Sequence, residues 1–140
     1  MEYLFQVTAT DGNESWRTDP ANPAWVGGAF GDKSVLEMPG YAPPRWLDLP
    51  APEGRRRDLT VSARGLDADV PVTLWSPAGL AAASPALLLV VHDGPEYDEL
   101  AGLTTYLAAL VAAGELPPVR AALLGPGHRD ERYSADGAYT

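Results

Sequence analysis

The sequence predicts an α/β protein, in which an antiparallel hairpin is followed by a strand–helix–strand unit and preceded by a smaller β unit. Apolar and polar residues alternate over 59–63 and again over 70–74, and this alternation predicts the hairpin. An unbroken apolar stretch over 86–91 predicts a strand that is covered on both faces. Apolar residues at helical spacing over 99–113, followed by a second apolar stretch over 119–124, complete a crossover unit with parallel strands.

Glycine- and proline-containing turns separate these elements. The sequence Gly-Leu-Asp-Ala-Asp over 65–69 predicts the turn of the hairpin. Gly114 follows the helical pattern directly, at the position where glycine most often ends a helix, and Pro117 and Pro118 prevent its continuation. The second apolar strand is closed by Gly-Pro-Gly over 125–127.

The sequence pattern of the N-terminal part predicts short strands and ordered loops. Residues 3–10 alternate well enough for a strand, and Asp11-Gly12 is a hairpin turn signal. A return segment opens at Trp16, and residues 34–38 predict one more short strand.

A proline-rich segment over 39–54 indicates a semi-rigid connector between these parts. Its prolines are Pro39, Pro43, Pro44, Pro50 and Pro52. We therefore expect a domain boundary near it, with a β unit and connector over 1–50 and the α/β unit over 51–140.

Composition and charge exclude several classes of function. A formal net charge of −9 disfavours nucleic-acid binding, because phosphate contacts need clustered Lys and Arg. The one basic run, over 55–57, is expected to be a solvated loop flank. The absence of cysteine excludes disulfides, thiolate metal sites and a cysteine nucleophile. The N-terminal residues lack the basic region of a signal peptide, and the apolar stretch over 86–91 is too short for a bilayer, so we expect a soluble, cytoplasmic protein without membrane partners.

Two loops, over 92–97 and 125–134, follow the predicted parallel strands at their carboxyl ends, where ligands bind in open α/β sheets. They contain both histidines and many charged residues: His92, Asp93, Glu96, His128, Arg129, Asp130, Glu131, Arg132 and Tyr133. The structural alternative is that Asp-Gly forms a simple turn, that His92 hydrogen-bonds at a strand end, and that the charges over 129–132 are solvated.

Other chemistries are less favoured at these loops. His92 and His128 lack the close spacing of metal ligands, so no metal site is expected. Glu96 with Asp93 or Glu131 could form the carboxylate pair of a glycoside hydrolase, but the sequence does not determine their separation. No Gly-x-Ser-x-Gly nucleophile elbow occurs, so the chain by itself is not expected to carry out serine-hydrolase chemistry.

The last third of the chain resembles the esterase family that includes the enterochelin esterases. Members of that family have a strand ending in His-Asp-Gly or Leu-Asp-Gly, then a helix, a Gly-x-(Ile/Leu)-Pro-Pro segment, an apolar strand and an Arg-x-x-Glu-Tyr-Ser-like stretch. The corresponding residues here are His92-Asp93-Gly94, 114–118 and 129–134.

The N-terminal residues are similar to the last strands of the immunoglobulin-like, early-set domain that precedes the hydrolase in such proteins. Early-set domains of starch and glycogen enzymes have a similar pattern, Asp-Gly-x-Trp-x-x-Asp-Pro-x-x-Pro. In this chain the corresponding stretch runs from Asp11 to Pro23, with three residues instead of one between Gly12 and Trp16. The resemblance implies that Trp16, Asp19 and Pro20 pack and fix loops, and it favours a core position over sugar binding for Trp16 and Trp25.

The resemblance implies an α/β-hydrolase whose serine nucleophile, acid and histidine all come after Thr140. This chain would contribute no catalytic residue and would supply the oxyanion-loop side of the site. The implied lining residues are His92, Asp93, Gly94, Glu96, Tyr97, Arg129 and Glu131. Arg129 would hold a substrate carboxylate or a neighbouring acid. No cofactor and no metal are implied.

Two positions depart from the family pattern. The family's oxyanion amide follows the Asp-Gly pair, but Pro95 has no N–H, so Gly94 or Glu96 would have to donate instead. Arg132 stands where the family often has Glu.

The expected partners are an ester substrate and the remainder of the hydrolase domain, in the same or a second chain. The alternatives are a non-catalytic glycan- or siderophore-binding module, an acyltransferase of the mycolyltransferase type, and a structural fragment without activity. Because an unpartnered buried-type strand promotes aggregation, the isolated chain is expected to be unstable or associated.

Overall fold

The computed structural model describes residues 1–63, 68–127 and Arg129. The chain separates into two compact units, Met1–Pro43 and Pro44–Thr140. The division falls inside the proline-rich segment over 39–54. Strands paired in both directions and two α-helices confirm the predicted α/β class.

The first unit contains two small antiparallel sheets. Its strands are β1 (Glu2–Tyr3), β2 (Phe5–Thr8), β3 (Glu14–Arg17), β4 (Trp25–Val26) and β5 (Lys33–Val35). One sheet has the order β1-β5-β4, and the other is the hairpin β2-β3. The predicted turn at Asp11-Gly12 is confirmed, because Gly12 has a φ of 85° and donates to the Ala9 carbonyl at 2.9 Å.

Asp19 organises the long loop of this unit. Its backbone N–H donates to the hydroxyl of the fully buried Ser34 at 2.8 Å, and its carboxylate accepts from the Tyr3 hydroxyl at 2.8 Å. The predicted loop-fixing role of Asp19 is thus confirmed. Trp16 and Trp25 are each 63% exposed, so the expectation of a core position is wrong for both within the described residues.

The second unit is built on a four-stranded mixed sheet. Its strands are β6 (Arg55–Ala63), β7 (Ala68–Ser76), β8 (Leu87–Val91) and β9 (Val119–Leu124). Their order is β6-β7-β9-β8. The predicted hairpin is confirmed as the antiparallel pair β6-β7, and the predicted crossover is confirmed because β8 and β9 are parallel. The basic run over 55–57 opens β6 and is therefore not a loop flank.

Two helices connect β8 to β9, α1 (Gly94–Ala101) and α2 (Leu103–Ala112). The prediction of one helix over 99–113 is wrong, because Gly102 adopts a left-handed conformation with a φ of 63° and interrupts the helix. The predicted helix end at Gly114 is confirmed, with a φ of 73°. The Glu115 N–H donates to the Leu110 carbonyl at 2.9 Å, which is the long hydrogen bond of a Schellman motif. No described helix is long and apolar enough to cross a membrane.

The core of this unit lies between β7, β9 and α2. Trp75 is 2% exposed and packs with buried side chains of both neighbouring elements. The buried members of the cluster are Trp75, Leu107, Ala108, Val119, Ala121 and Leu123.

Strand β8 lies at the edge of the described sheet and is not covered. Leu87 is 62% exposed, Leu88 61% and Val90 52%, and successive side chains in a strand point to opposite faces. Among the described strands only β9 pairs with it. The prediction that 86–91 is covered on both faces is therefore wrong for the described residues, because side chains on both faces of β8 are more than half exposed.

Candidate functional site

The candidate site lies at the carboxyl ends of the two parallel strands. Val91 pairs in register with Leu123, so the residues that follow β8 and β9 start at the same edge of the sheet. The loop after β8 begins at His92, and the loop after β9 begins at Gly125. This edge is where open α/β sheets bind ligands.

Asp93 forms the junction between β8 and α1. It is the only described non-glycine residue with a positive φ, at 52° with a ψ of 29°. Its carbonyl accepts from the Tyr97 N–H at 3.0 Å, so the backbone of Asp93 closes the first turn of α1. Aspartate tolerates this left-handed conformation better than most residues do.

Gly94 is buried against β9. A Cβ at this position would lie 2.4 Å from the Leu123 Cα and 2.6 Å from the Leu123 Cβ. Only glycine therefore allows α1 to start this close to the sheet. In the sequence, Asp-Gly after a strand indicates a turn, but the contact with Leu123 is invisible there.

Arg129, in the loop after β9, forms ion pairs with two carboxylates of the turn after β8. Its Nη2 lies 2.9 Å from Asp93 Oδ2, and its Nη1 lies 3.6 Å from Glu96 Oε2. The Asp93 side chain is 13% exposed, whereas the other two are roughly half exposed. Of the predicted site residues, Asp93, Glu96 and Arg129 are thus brought together. Glu131 lies outside the described residues, as do His128 and Asp130.

His92 and Tyr97 border an open, mainly apolar cavity of about 490 Å³. Its other lining residues are Leu89, Val90, Val91, Asp93 and Leu103. Most of this lining comes from β8 and the first turn of α1. The cavity can receive an apolar group next to the polar turn at 92–97.

The first turn of α1 offers two backbone N–H donors. Pro95 has none, and the Tyr97 N–H is already used by the Asp93 carbonyl. Within the described part of the chain, the N–H groups of Gly94 and Glu96 have no hydrogen-bond acceptor. The first-turn amides of a helix point outward from its N-terminus and favour negative charge.

The carboxylates described at this edge of the sheet pair with an arginine. The described residues contain no group of three or more His, Cys, Asp or Glu side chains that could hold a metal ion. Asp93 and Glu96 both face Arg129.

A second polar cluster lies between β6 and the two helices and was missed in the sequence. Asp98 Oδ1 accepts from the backbone N–H of Thr104 at 2.9 Å and from its hydroxyl at 2.5 Å, while Asp98 Oδ2 lies 2.6 Å from Arg56 Nη1. Partial burial opposes ionisation of Asp98, but the hydrogen bonds from Thr104 and Arg56 outweigh it and lower the pKa of its carboxyl. The cluster caps α2 across the break at Gly102, so its role is structural.

Comparison of the sequence with protein-family models and with curated proteins gives no match. Solved structures do match. The enterobactin esterase from Shigella flexneri in the presence of enterobactin has 26% identity and a TM-score of 0.66, over 89% of this chain and 33% of that chain. The enterochelin esterase from the same organism has 25% identity and a TM-score of 0.63, over 89% and 32%.

The ferric enterobactin esterase from Salmonella typhimurium has 22% identity and a TM-score of 0.67, over 89% of this chain and 32% of that chain. At this identity the likeness concerns the fold alone. The chain spans about one third of the length of the solved structures that it matches. Together these matches confirm the resemblance to the enterochelin-esterase-like family that the residues after β8 and β9 predicted.

Proposed function

We propose that this chain is the front part of a serine carboxylic-ester hydrolase of the enterochelin-esterase-like type, and that it supplies the oxyanion-loop side of the active site. The observation that carries the proposal is the turn at 92–97, which starts with a left-handed Asp93 and presents the N–H groups of Gly94 and Glu96 at the strand ends. This turn lies in a fold that matches enterobactin esterases over 89% of the chain.

In the proposed reaction a serine attacks the ester carbonyl and forms an acyl-enzyme, which water then hydrolyses. The Gly94 or Glu96 amide donates to the oxyanion of the tetrahedral intermediate. His92 and Tyr97 are proposed to lie beside the ester at this edge of the sheet, and Arg129 and Glu131 to complete the loop side of the site. The serine, its histidine and its acid are proposed to follow Thr140, in keeping with the absence of a Gly-x-Ser-x-Gly segment in the sequence.

The remainder of the hydrolase domain, in the same or a second chain, is proposed to cover β8. The exposure of its apolar side chains supports this, since a hydrolase sheet is covered on both faces. Residues 1–50 are proposed to be the last strands of an immunoglobulin-like domain with its connector, and residues 51–140 the start of the hydrolase domain. Two small antiparallel sheets in a separate compact unit support the first assignment.

The structural neighbours suggest the first substrate to test. Solved structures of the Shigella flexneri esterase include one in the presence of enterobactin, so we propose enterobactin or a related ester as the substrate. A cytoplasmic location is also part of the proposal, and cell fractionation tests it.

The decisive experiment compares the full-length gene product with the 140-residue chain. We expect the full-length protein to hydrolyse p-nitrophenyl acetate and enterobactin and to be labelled by a fluorophosphonate, which reacts with activated serines. The chain alone should show neither activity nor labelling. Labelling of the chain alone, or an inert full-length protein, would contradict the proposal.

A further inference from the structure

Arg129 binds the two carboxylates on either side of Gly94-Pro95. It lies 2.9 Å from Asp93 and 3.6 Å from Glu96, so a single guanidinium bridges the first turn of α1. Arginine suits this task because its planar group presents several N–H donors in a rigid fork.

The ion pair with Arg129 stabilises the unusual conformation of this turn. Asp93 has a positive φ, and its carboxylate is only 13% exposed. Burying a carboxylate costs free energy unless it is paired or hydrogen-bonded. The Arg129 guanidinium supplies that charge from the loop after β9, and it thereby links the conformation of Asp93 to the strand next to β8.

The same contacts argue against a role for Arg129 in binding an anionic substrate. One guanidinium faces two carboxylates, so the group of three carries an excess negative charge. A substrate carboxylate would have to compete with both of them for the Arg129 guanidinium.

We propose that Arg129 is a positioning residue: it holds residues 93–96 in the conformation that presents the Gly94 and Glu96 amides, and it does not contact the substrate. This inference rests on the proposed function. It adds that the oxyanion turn after β8 is held in place by Arg129, a residue of the loop after β9.

The kinetic test uses the full-length protein with a neutral and a carboxylate-bearing p-nitrophenyl ester. Arg129→Ala should lower kcat for both esters by about 10- to 100-fold, the loss expected of a misplaced catalytic group, and leave KM nearly unchanged. Asp93→Asn should have a similar effect, because asparagine tolerates the left-handed conformation but cannot form the ion pair. The double variant should be no worse than either single one, since both remove the same contact.

A rise in KM for the carboxylate-bearing ester alone, with Asp93→Asn unaffected, would overturn the proposal and make Arg129 a substrate-binding residue. Arg129→Lys serves if the alanine variant does not fold. It keeps the charge but replaces the two nitrogens that contact Asp93 and Glu96 separately with a single one, so kcat should still fall. Arg45→Ala is the matched control, because Arg45 forms an exposed ion pair with Glu115. It should leave kcat unchanged.

Hydrogen exchange separates this inference from the proposed function. In the full-length protein, Arg129→Ala should speed exchange of the Tyr97 amide, which donates to the Asp93 carbonyl, while the Leu107 amide in α2 stays protected. If the wild type hydrolyses no ester but Tyr97 exchange rises, the proposed function fails and the positioning of the turn stands. Unchanged Tyr97 exchange overturns the inference, whatever the activity.

Discussion

Gly94 lies directly against the backbone of Leu123, so that helix α1 begins in contact with strand β9. A Cβ on Gly94 would come within 2.4 Å of the Leu123 Cα. This contact sets the distance between the turn at 92–97 and the sheet. The position of the turn therefore depends on the absence of one methyl group.

Gly94→Ala should destabilise the protein by about 2–3 kcal/mol, since overpacking against backbone cannot be relieved by a rotamer change. Urea denaturation followed by tryptophan fluorescence measures the loss, as Trp75 is buried in the same core. Gly27→Ala is the control, because among the described residues its Cβ would meet nothing closer than the Asp32 carboxylate at 3.8 Å. An unchanged urea midpoint for Gly94→Ala would contradict the geometry of this contact.

Asp98→Asn should destabilise the protein by about 1–2 kcal/mol at pH 7, because it weakens the hydrogen bonds to Thr104 and the ion pair with Arg56. The pKa of Asp98 is lowered in the folded protein, so its contribution is complete above the unfolded pKa and is lost as the pH falls through the folded pKa. The difference between wild type and variant should therefore shrink below about pH 4. A difference in unfolding free energy that stays constant from pH 7 to pH 3 would contradict this assignment.

Glu115→Gln is the control for that series. Glu115 pairs with Arg45 at an exposed position, and exposed ion pairs contribute little to stability. Its unfolding free energy should stay within about 0.5 kcal/mol of wild type at pH 7.

Arg120→Ala should loosen the loop between β7 and β8. The Arg120 guanidinium donates to the carbonyls of Ala81, Ala82 and Ser84 at 2.9–3.0 Å. Elastase cleaves after small residues such as these alanines, so limited proteolysis should show faster cleavage at 81–84 in the variant. Arg120→Lys should be intermediate, since one ammonium cannot reach all three carbonyls. Equal cleavage rates in wild type and Arg120→Ala would refute this role.

The 140-residue chain by itself should associate through β8. Its exposed apolar side chains lie on an edge strand that contains no charged residue or proline to oppose pairing. Leu88→Lys should reduce the associated fraction in sedimentation velocity, whereas Val61→Lys, an exposed position in β6, should not. A monodisperse monomer with a sharp thermal transition would contradict the expectation.

Local patterns in the sequence determined most of the second unit. Alternation over 59–63 and 70–74 predicted the hairpin, and the strand–helix–strand order predicted the parallel pair β8-β9. Gly114 marked a helix end because a left-handed residue is needed there. Such signals can be read from neighbours in sequence, since they arise from backbone geometry and short-range periodicity.

Only the tertiary structure decided the features that depend on distant residues. Gly102 interrupts the helix that apolar spacing predicted as continuous. Asp98, which caps α2, forms an ion pair with Arg56 on β6. The contact of Gly94 with Leu123 and the bridge from Arg129 to Asp93 join separate loops. The sequence alone predicted that the candidate site lies at the strand ends. Side chains that the sheet brings together determine how the turn at 92–97 is held, because contacts between residues far apart in sequence have no local signature.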